Sequence, residues 1–251
     1  MKRLIVNADD FGRSPGVNAG TLQAHAGGIV TSATVMILEN ASASGIREAA
    51  ERAPRLSLGL HFVLTGGGPP AAPARELPTL APGGSFRRTR EELPHRIPEA
   101  EVRAELEAQI GIFELLARKA PSHLDSHHHV ALHASVAPVF AAVAHERSLP
   151  ARAPTDEARR MLRAAGVRTP DHFIDRFYAE NVRFRTLEEI LTGLPDGTCE
   201  LMCHPGLVDD ALRAGSTYVE ERQWEVGLLC DPTIRQLVHA KSIQLVDFGA
   251  L

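Results

Sequence analysis

The chain has little cysteine: three residues in 251, Cys199, Cys203 and Cys230, with no C-x-x-C pair. An odd number of scattered thiols in or near apolar stretches excludes a disulfide framework and suits a reducing compartment, so a cytoplasmic protein is expected. Positive charge is not in excess either, since 27 Lys and Arg against 31 Asp and Glu leave a formal net charge of −4. No basic field exists to draw in nucleic acid or an anionic membrane, and neutral or mixed-charge substrates are favoured. No run reaches the roughly 20 apolar residues of a membrane span. The opening Met1-Lys2-Arg3-Leu4-Ile5-Val6 has a basic flank, but its apolar stretch meets Asn7 and two aspartates, short of a signal-peptide core. Walker A and G-x-G-x-x-G loops are missing, which removes the usual supports of nucleotide binding.

What is present is an alternation of short β-branched or leucine-rich runs with longer stretches of helical period, the pattern of strand-helix units around a largely parallel sheet. Strands are expected at Arg3–Asn7, Ala33–Leu38, Ser57–Phe62, Ser122–Ser126, weakly at Leu149–Ala153, near His172–Ile174, at Glu200–Cys203 and at Ser242–Asp247. Helices are expected at Gly16–Ala26, Ala43–Arg52, Glu99–Lys119, Ser135–Glu146, Thr155–Ala165, Thr186–Gly193 and Thr217–Ala240, the last restarting at Pro232. Seven or eight units in one domain, residues 1–251, suggest an α/β fold of the distorted TIM-like (β/α) barrel type, with a doubly wound open sheet as the alternative. The stretch Leu64–Pro98 breaks the pattern, holding seven of the seventeen prolines and five glycines in thirty-five residues. Following directly on His61, it reads as a lid or binding loop.

The polar residues gather at strand ends. Five of the twelve histidines fall between His123 and His133, in His123-Leu124-Asp125-Ser126-His127-His128-His129-Val130 and just beyond, while Asp9 and Asp10 end the first strand. Imidazole and carboxylate together are the ligands of a catalytic divalent ion that keeps one position open. In an extended segment His127, His129 and Asp125 would share one face and His128 the other, and Asp125 or His123 could accept a ligand histidine's second N–H. Each part has a simpler role available: a helix cap for Asp9 or Asp10, a core histidine at His61, a turn residue at His204, a solvated loop for the histidine run. His204, in Cys203-His204-Pro205-Gly206, could equally be a general acid, whereas a Cys203-His204 nucleophile is disfavoured because strand neighbours point to opposite faces.

Taken together, Leu4 to Gly12, Gly28-Ile29-Val30-Thr31-Ser32, Gly59-Leu60-His61-Phe62-Val63-Leu64-Thr65, His123 to Val130 and Met202-Cys203-His204-Pro205 make the chain resemble the YdjC-like carbohydrate deacetylases, most closely the chitooligosaccharide deacetylases. The resemblance implies a distorted TIM-like barrel, one divalent ion (Mg²⁺ by family, though Zn²⁺ suits the ligands) held by Asp10, His61 and His127, and Asp9 as general base. It implies removal of an N-acetyl group from a small N-acetylglucosamine oligosaccharide, His204 protonating the departing amine. Relatives continue the triplet as His-Val-His, whereas Ala131 follows Val130 here and leaves His133 as a substitute. The rivals are a different acylated or lipid-linked glycan such as a hopanoid precursor, a phosphoesterase, and a non-catalytic sugar or metal binder; an extra carboxylate, Asp9, separates catalysis from storage. Helices Ser135–Glu146 and Thr217–Leu229 could serve a homodimer, or simply pack on the sheet.

Overall fold

The computed structural model describes all residues from Met1 to Leu251. Seven parallel strands are β1 (Lys2–Phe11), β2 (Ser32–Val35), β3 (Ser57–Phe62), β4 (Leu124–Ser126), β5 (His172–Ile174), β6 (Gly197–Cys203) and β7 (Gln244–Leu245). Their order is β4-β3-β2-β1-β6-β5, with β7 joined to β1 off that path. Nine helices intervene: α1 (Pro15–Ala26), α2 (Ser42–Arg52), α3 (Glu99–Ala117), α4 (Ala137–Glu146), α5 (Asp156–Ala164), α6 (Phe184–Thr192), α7 (Asp210–Gly215), α8 (Glu220–Leu229) and α9 (Pro232–Ala240). By backbone contacts the chain forms two compact units, Met1–Val35 with Glu39–Leu58 and Pro170–Leu251, and Met36–Leu38 with Gly59–Thr169.

The first unit is built on β1. Leu4, Ile5 and Val6 are fully buried, as expected of a parallel strand covered on both faces. The strand pairs with β6 along Lys2–Ala8, with β2 from Asn7 onward, and with β7 only at Arg3 and Leu4. It is longer than its apolar run, because Asn7, Asp9 and Asp10 continue the ladder as buried polar residues. A register shift lies between Ala8 and Phe11, and Asp10 takes φ 66° inside it. Strict side-chain alternation across Asp9 and Asp10 therefore does not hold. The helices start where capping chemistry allows. Ser14 accepts from the Val17 N–H ahead of α1, with Pro15 in its first turn, and Asp231 does the same for α9 with Pro232. Asp209 caps α7, a helix too short to show a hydrophobic period in the sequence.

In the second unit β3 and β4 pair with Leu60 beside Leu124, His61 beside Asp125 and Phe62 beside Ser126. The strand expected at Leu149–Ala153 is reduced to a single bridge, Leu124 to Ala151, although Pro150 O and Arg152 N still bond the Leu124 backbone. The segment Leu64–Pro98 is packed, burying Leu77, Leu80, Ala81, Phe86, Leu93 and Ile97. Three polar residues one turn apart on α3 hold it. Glu101 accepts the N–H groups of Thr79 and Leu80 at 2.9 and 2.8 Å, Glu105 accepts those of Ala71 and Ala72 at 2.9 Å each, and Gln109 bonds both the N–H and the carbonyl of Val63. Backbone groups of a proline-rich segment that find no partner in a ladder are thus satisfied by one face of a helix.

Candidate active site

In the first unit β1 and β6 run side by side as far as Ala8 opposite Cys203, so Asp9 and His204 are the next residues on two adjacent strands. His204 Nε2 stands 4.0 Å from Asp9 Oδ2. Asp9 is 2% exposed and its Oδ1 accepts from Asn7 Nδ2 at 2.9 Å, while Asn7 Oδ1 accepts from Ser32 at 2.8 Å. Its carboxylate is aimed by hydrogen bonds two residues back along its own strand.

Helix α8 grips both strand ends. Arg222 reaches Asp10 Oδ2 with Nη2 at 2.5 Å, and its carbonyl accepts from the Gly206 N–H at 3.1 Å. Glu225, three residues on, accepts from the His204 N–H at 2.5 Å and from the Tyr218 hydroxyl at 2.5 Å. Burial pushes the Glu225 carboxyl up to about 8, against the opposing pull of those two donors and of Arg222. Behind His204 the turn is held by α1, where a Cβ on Gly20 would lie 2.5 Å from the Gly206 Cα, and Leu207 N–H donates to Gly16 O at 2.8 Å. Neither Arg222 nor Glu225 stands out in the sequence. They become visible only in the fold, as two charged residues three apart on one helix that are almost fully buried.

The second unit supplies imidazoles. His61 Nδ1 lies 2.6 Å from Asp125 Oδ1, a contact that follows from their neighbouring positions on β3 and β4, and Arg152 Nη1 approaches Asp125 Oδ2 at 3.1 Å. A carboxylate at Nδ1 is the contact that fixes the tautomer and orientation of a metal-binding histidine. The His127 ring sits 5.4 Å from that of His61, edge to face.

Past Ser126 the chain is no longer extended: His127–Leu132 forms a tight 3₁₀ turn in which His128 and His129 take φ 52° and 50°. The expected shared face of His127, His129 and Asp125 is therefore absent. His128 instead stacks on His127 at 3.8 Å and meets Thr65 Oγ1 through Nδ1 at 3.0 Å. Asp125 serves His61. His123 is buried against β3, where a Cβ on Gly59 would come within 2.5 Å of its ring, and bonds Ser122. His133 accepts from the Ser135 N–H at 3.2 Å and helps turn the chain into α4.

Of the three expected ligands, Asp10 stands near the end of β1 in the first unit, and His61 and His127 lie together in the second. The chemistry fits, because one carboxylate and two neutral imidazoles, one oriented by Asp125, are a regular divalent set. One spacing that points elsewhere, the G-x-S-x-G of a serine-esterase elbow at Gly12-Arg13-Ser14-Pro15-Gly16, is removed by the structure: Ser14 is fully buried and caps α1.

The model of the family described as YdjC-like protein matches residues 3–240. A carbohydrate deacetylase from Brevibacillus brevis is 38% identical, with 99% of each chain covered, and a chitooligosaccharide deacetylase from Proteus mirabilis is 34% identical, covering 99% of this chain and 98% of its own. Among solved structures, a candidate cellobiose-phosphate cleavage protein from Enterococcus faecalis superimposes with TM-score 0.93 at 31% identity, over 99% of this chain and 98% of that one. A family 4 carbohydrate esterase from Streptomyces lividans, solved with acetate, shares the fold with TM-score 0.56 at 12% identity, over 97% and 91%. The fold is thus the distorted (β/α) barrel type rather than a doubly wound sheet, and the chain belongs to the YdjC-like family.

Proposed function

We propose that this YdjC-like protein is a metal-dependent hydrolase that removes the N-acetyl group from N-acetylglucosamine oligosaccharides. The observation that carries this reading is the Asp9 and His204 pair, 4.0 Å apart on adjacent strands and additional to the three residues proposed as ligands. A protein that only stored metal or bound sugar would have no use for it. The names of the Brevibacillus and Proteus relatives supply the substrate class.

Asp10, His61 and His127 would hold the ion, Mg²⁺ in keeping with the family resemblance. When bound there, a divalent ion polarises the amide carbonyl and lowers the pKa of the attacking water. Asp9, aimed by Asn7, accepts the proton that water loses. His204, held through its main chain by Glu225, donates a proton to the amine as the C–N bond breaks, leaving acetate and a free amino sugar. The two buried arginines, Arg152 and Arg222, are both engaged by carboxylates, so a phosphoesterase reading gains no support from them. A cytoplasmic setting suits Cys199, Cys203 and Cys230, none of which is in a disulfide.

The test is acetate release from N,N′-diacetylchitobiose by protein stripped of metal and reconstituted separately with Mg²⁺ and Zn²⁺. Release that depends on the ion is expected. No release with either ion, when both are bound, would reject the reading.

A further inference from the structure

We infer that Tyr178 is the platform on which the reacting amino sugar stacks, an inference that rests on the deacetylase reading of Asp9 and His204. Tyr178 follows β5, and its ring lies 4.5 Å from that of Tyr218, nearly parallel at 16°. The His204 imidazole meets the pair at 5.3 Å from Tyr178 and 5.7 Å from Tyr218.

The lower ring is fixed. Tyr218 is 8% exposed, donates its hydroxyl proton to Glu225 and accepts from the Ala179 N–H at 3.4 Å. That N–H belongs to the residue after Tyr178, and Ala179 takes φ 52°, so the backbone is bent against Tyr218 just where Tyr178 is presented. Non-glycine residues adopt that conformation only when their surroundings hold them there. Despite this anchoring Tyr178 remains 42% exposed. A large ring is held rigid, stacked below and open to water, beside the imidazole assigned to protonate the leaving amine.

An aromatic surface of this kind binds the apolar C–H face of a pyranose. The contact buries apolar area and aligns C–H groups over the ring, and a ring already held in place loses little entropy on binding. The reach selects which sugar. The departing nitrogen must come within about 3 Å of His204 and is bonded directly to its pyranose ring, so the platform, 5.3 Å from the imidazole centre, meets the sugar that reacts rather than a distant one.

The test compares wild type, Tyr178→Ala and Tyr178→Phe as metal-loaded proteins. Each is titrated calorimetrically with chitobiose, the deacetylated disaccharide, which binds without turnover, and each is assayed for acetate release from N,N′-diacetylchitobiose. Tyr178→Ala should weaken disaccharide binding and raise KM by about tenfold while kcat changes less than about threefold, and Tyr178→Phe, which keeps the ring, should restore both to within about twofold. Unchanged affinity in Tyr178→Ala, or an equal loss in Tyr178→Phe, overturns the platform even if acetate is released normally. Absence of acetate release by the wild type overturns the deacetylase reading, and the inference with it.

Discussion

Individual side chains at the strand ends divide into those that would hold an ion, those that would move a proton and those that aim the first two. Asp9 tests the proton role. Asp9→Asn keeps the hydrogen-bonding shape toward Asn7 and should leave metal affinity within a few-fold while lowering kcat by about a hundred- to ten-thousandfold, measured by calorimetric metal titration beside the acetate assay. Activity close to wild type would remove Asp9 as the base. Asp125 tests the aiming role. Since it engages His61 Nδ1 at 2.6 Å, Asp125→Asn should weaken metal binding by about ten- to a hundredfold, visible in the same titration without any substrate. His123, next but one before Asp125 in sequence, is buried against β3 beside Gly59, and its replacement should show as lost stability.

At the scale of elements, α3 and α8 do work that amphipathic period does not reveal. Three polar positions on α3, Glu101, Glu105 and Gln109, face inward because they bond backbone, and the stretch Leu64–Pro98 is ordered against them. Glu105→Ala would strand the N–H groups of Ala71 and Ala72, at a cost of about 1–3 kcal/mol for a buried unpaired donor. Urea unfolding should show that loss, and amide hydrogen exchange should show it concentrated at residues 71 and 72. Exchange there as slow as in wild type would mean another group holds the segment. Helix α8 places Arg222 and Glu225 on neighbouring turns and so ties the ends of β1 and β6 together. The sequence presents it as one half of an ordinary outer helix. The histidine run shows the opposite failure: alternation holds only while the chain is extended, and left-handed φ values at His128 and His129 end it after Ser126.

For the whole molecule, stability should respond to pH and to metal. Glu225 is raised from the ordinary 4.5 to about 8 by burial, so the fold favours its protonated form. The stabilisation it contributes is complete below about pH 4.5 and is lost as pH rises toward 8. In metal-free protein, Glu225→Gln should therefore flatten the decline in stability across that window, read as Tm against pH relative to wild type. Identical slopes would show that Glu225 is ionised throughout. Metal should add stability by mass action, about 2.7 kcal/mol at a hundred times its Kd, so a chelator should lower Tm and Asp10→Ala should abolish the difference.

The amino-acid sequence by itself determined the fold class, the order of strands and helices apart from α7 and the strand lost at Leu149–Ala153, and which residues would stand at the strand ends. Each of these follows from local information: runs of apolar residues, caps, and polar residues where a run stops. Asp9, Asp10, His61, His127 and His204 were legible for that reason as polar residues at strand ends, while the roles proposed for them rest on the family resemblance. Only the tertiary structure decided which imidazole Asp125 orients, that Arg222 and Glu225 hold the β1 and β6 ends, and that Tyr178 lies beside His204. Those pairings join residues 64, 212, 21 and 26 positions apart or belong to a turn whose backbone departs from the extended form. Strand register and helix packing create them, and neither is written in the period of any single segment.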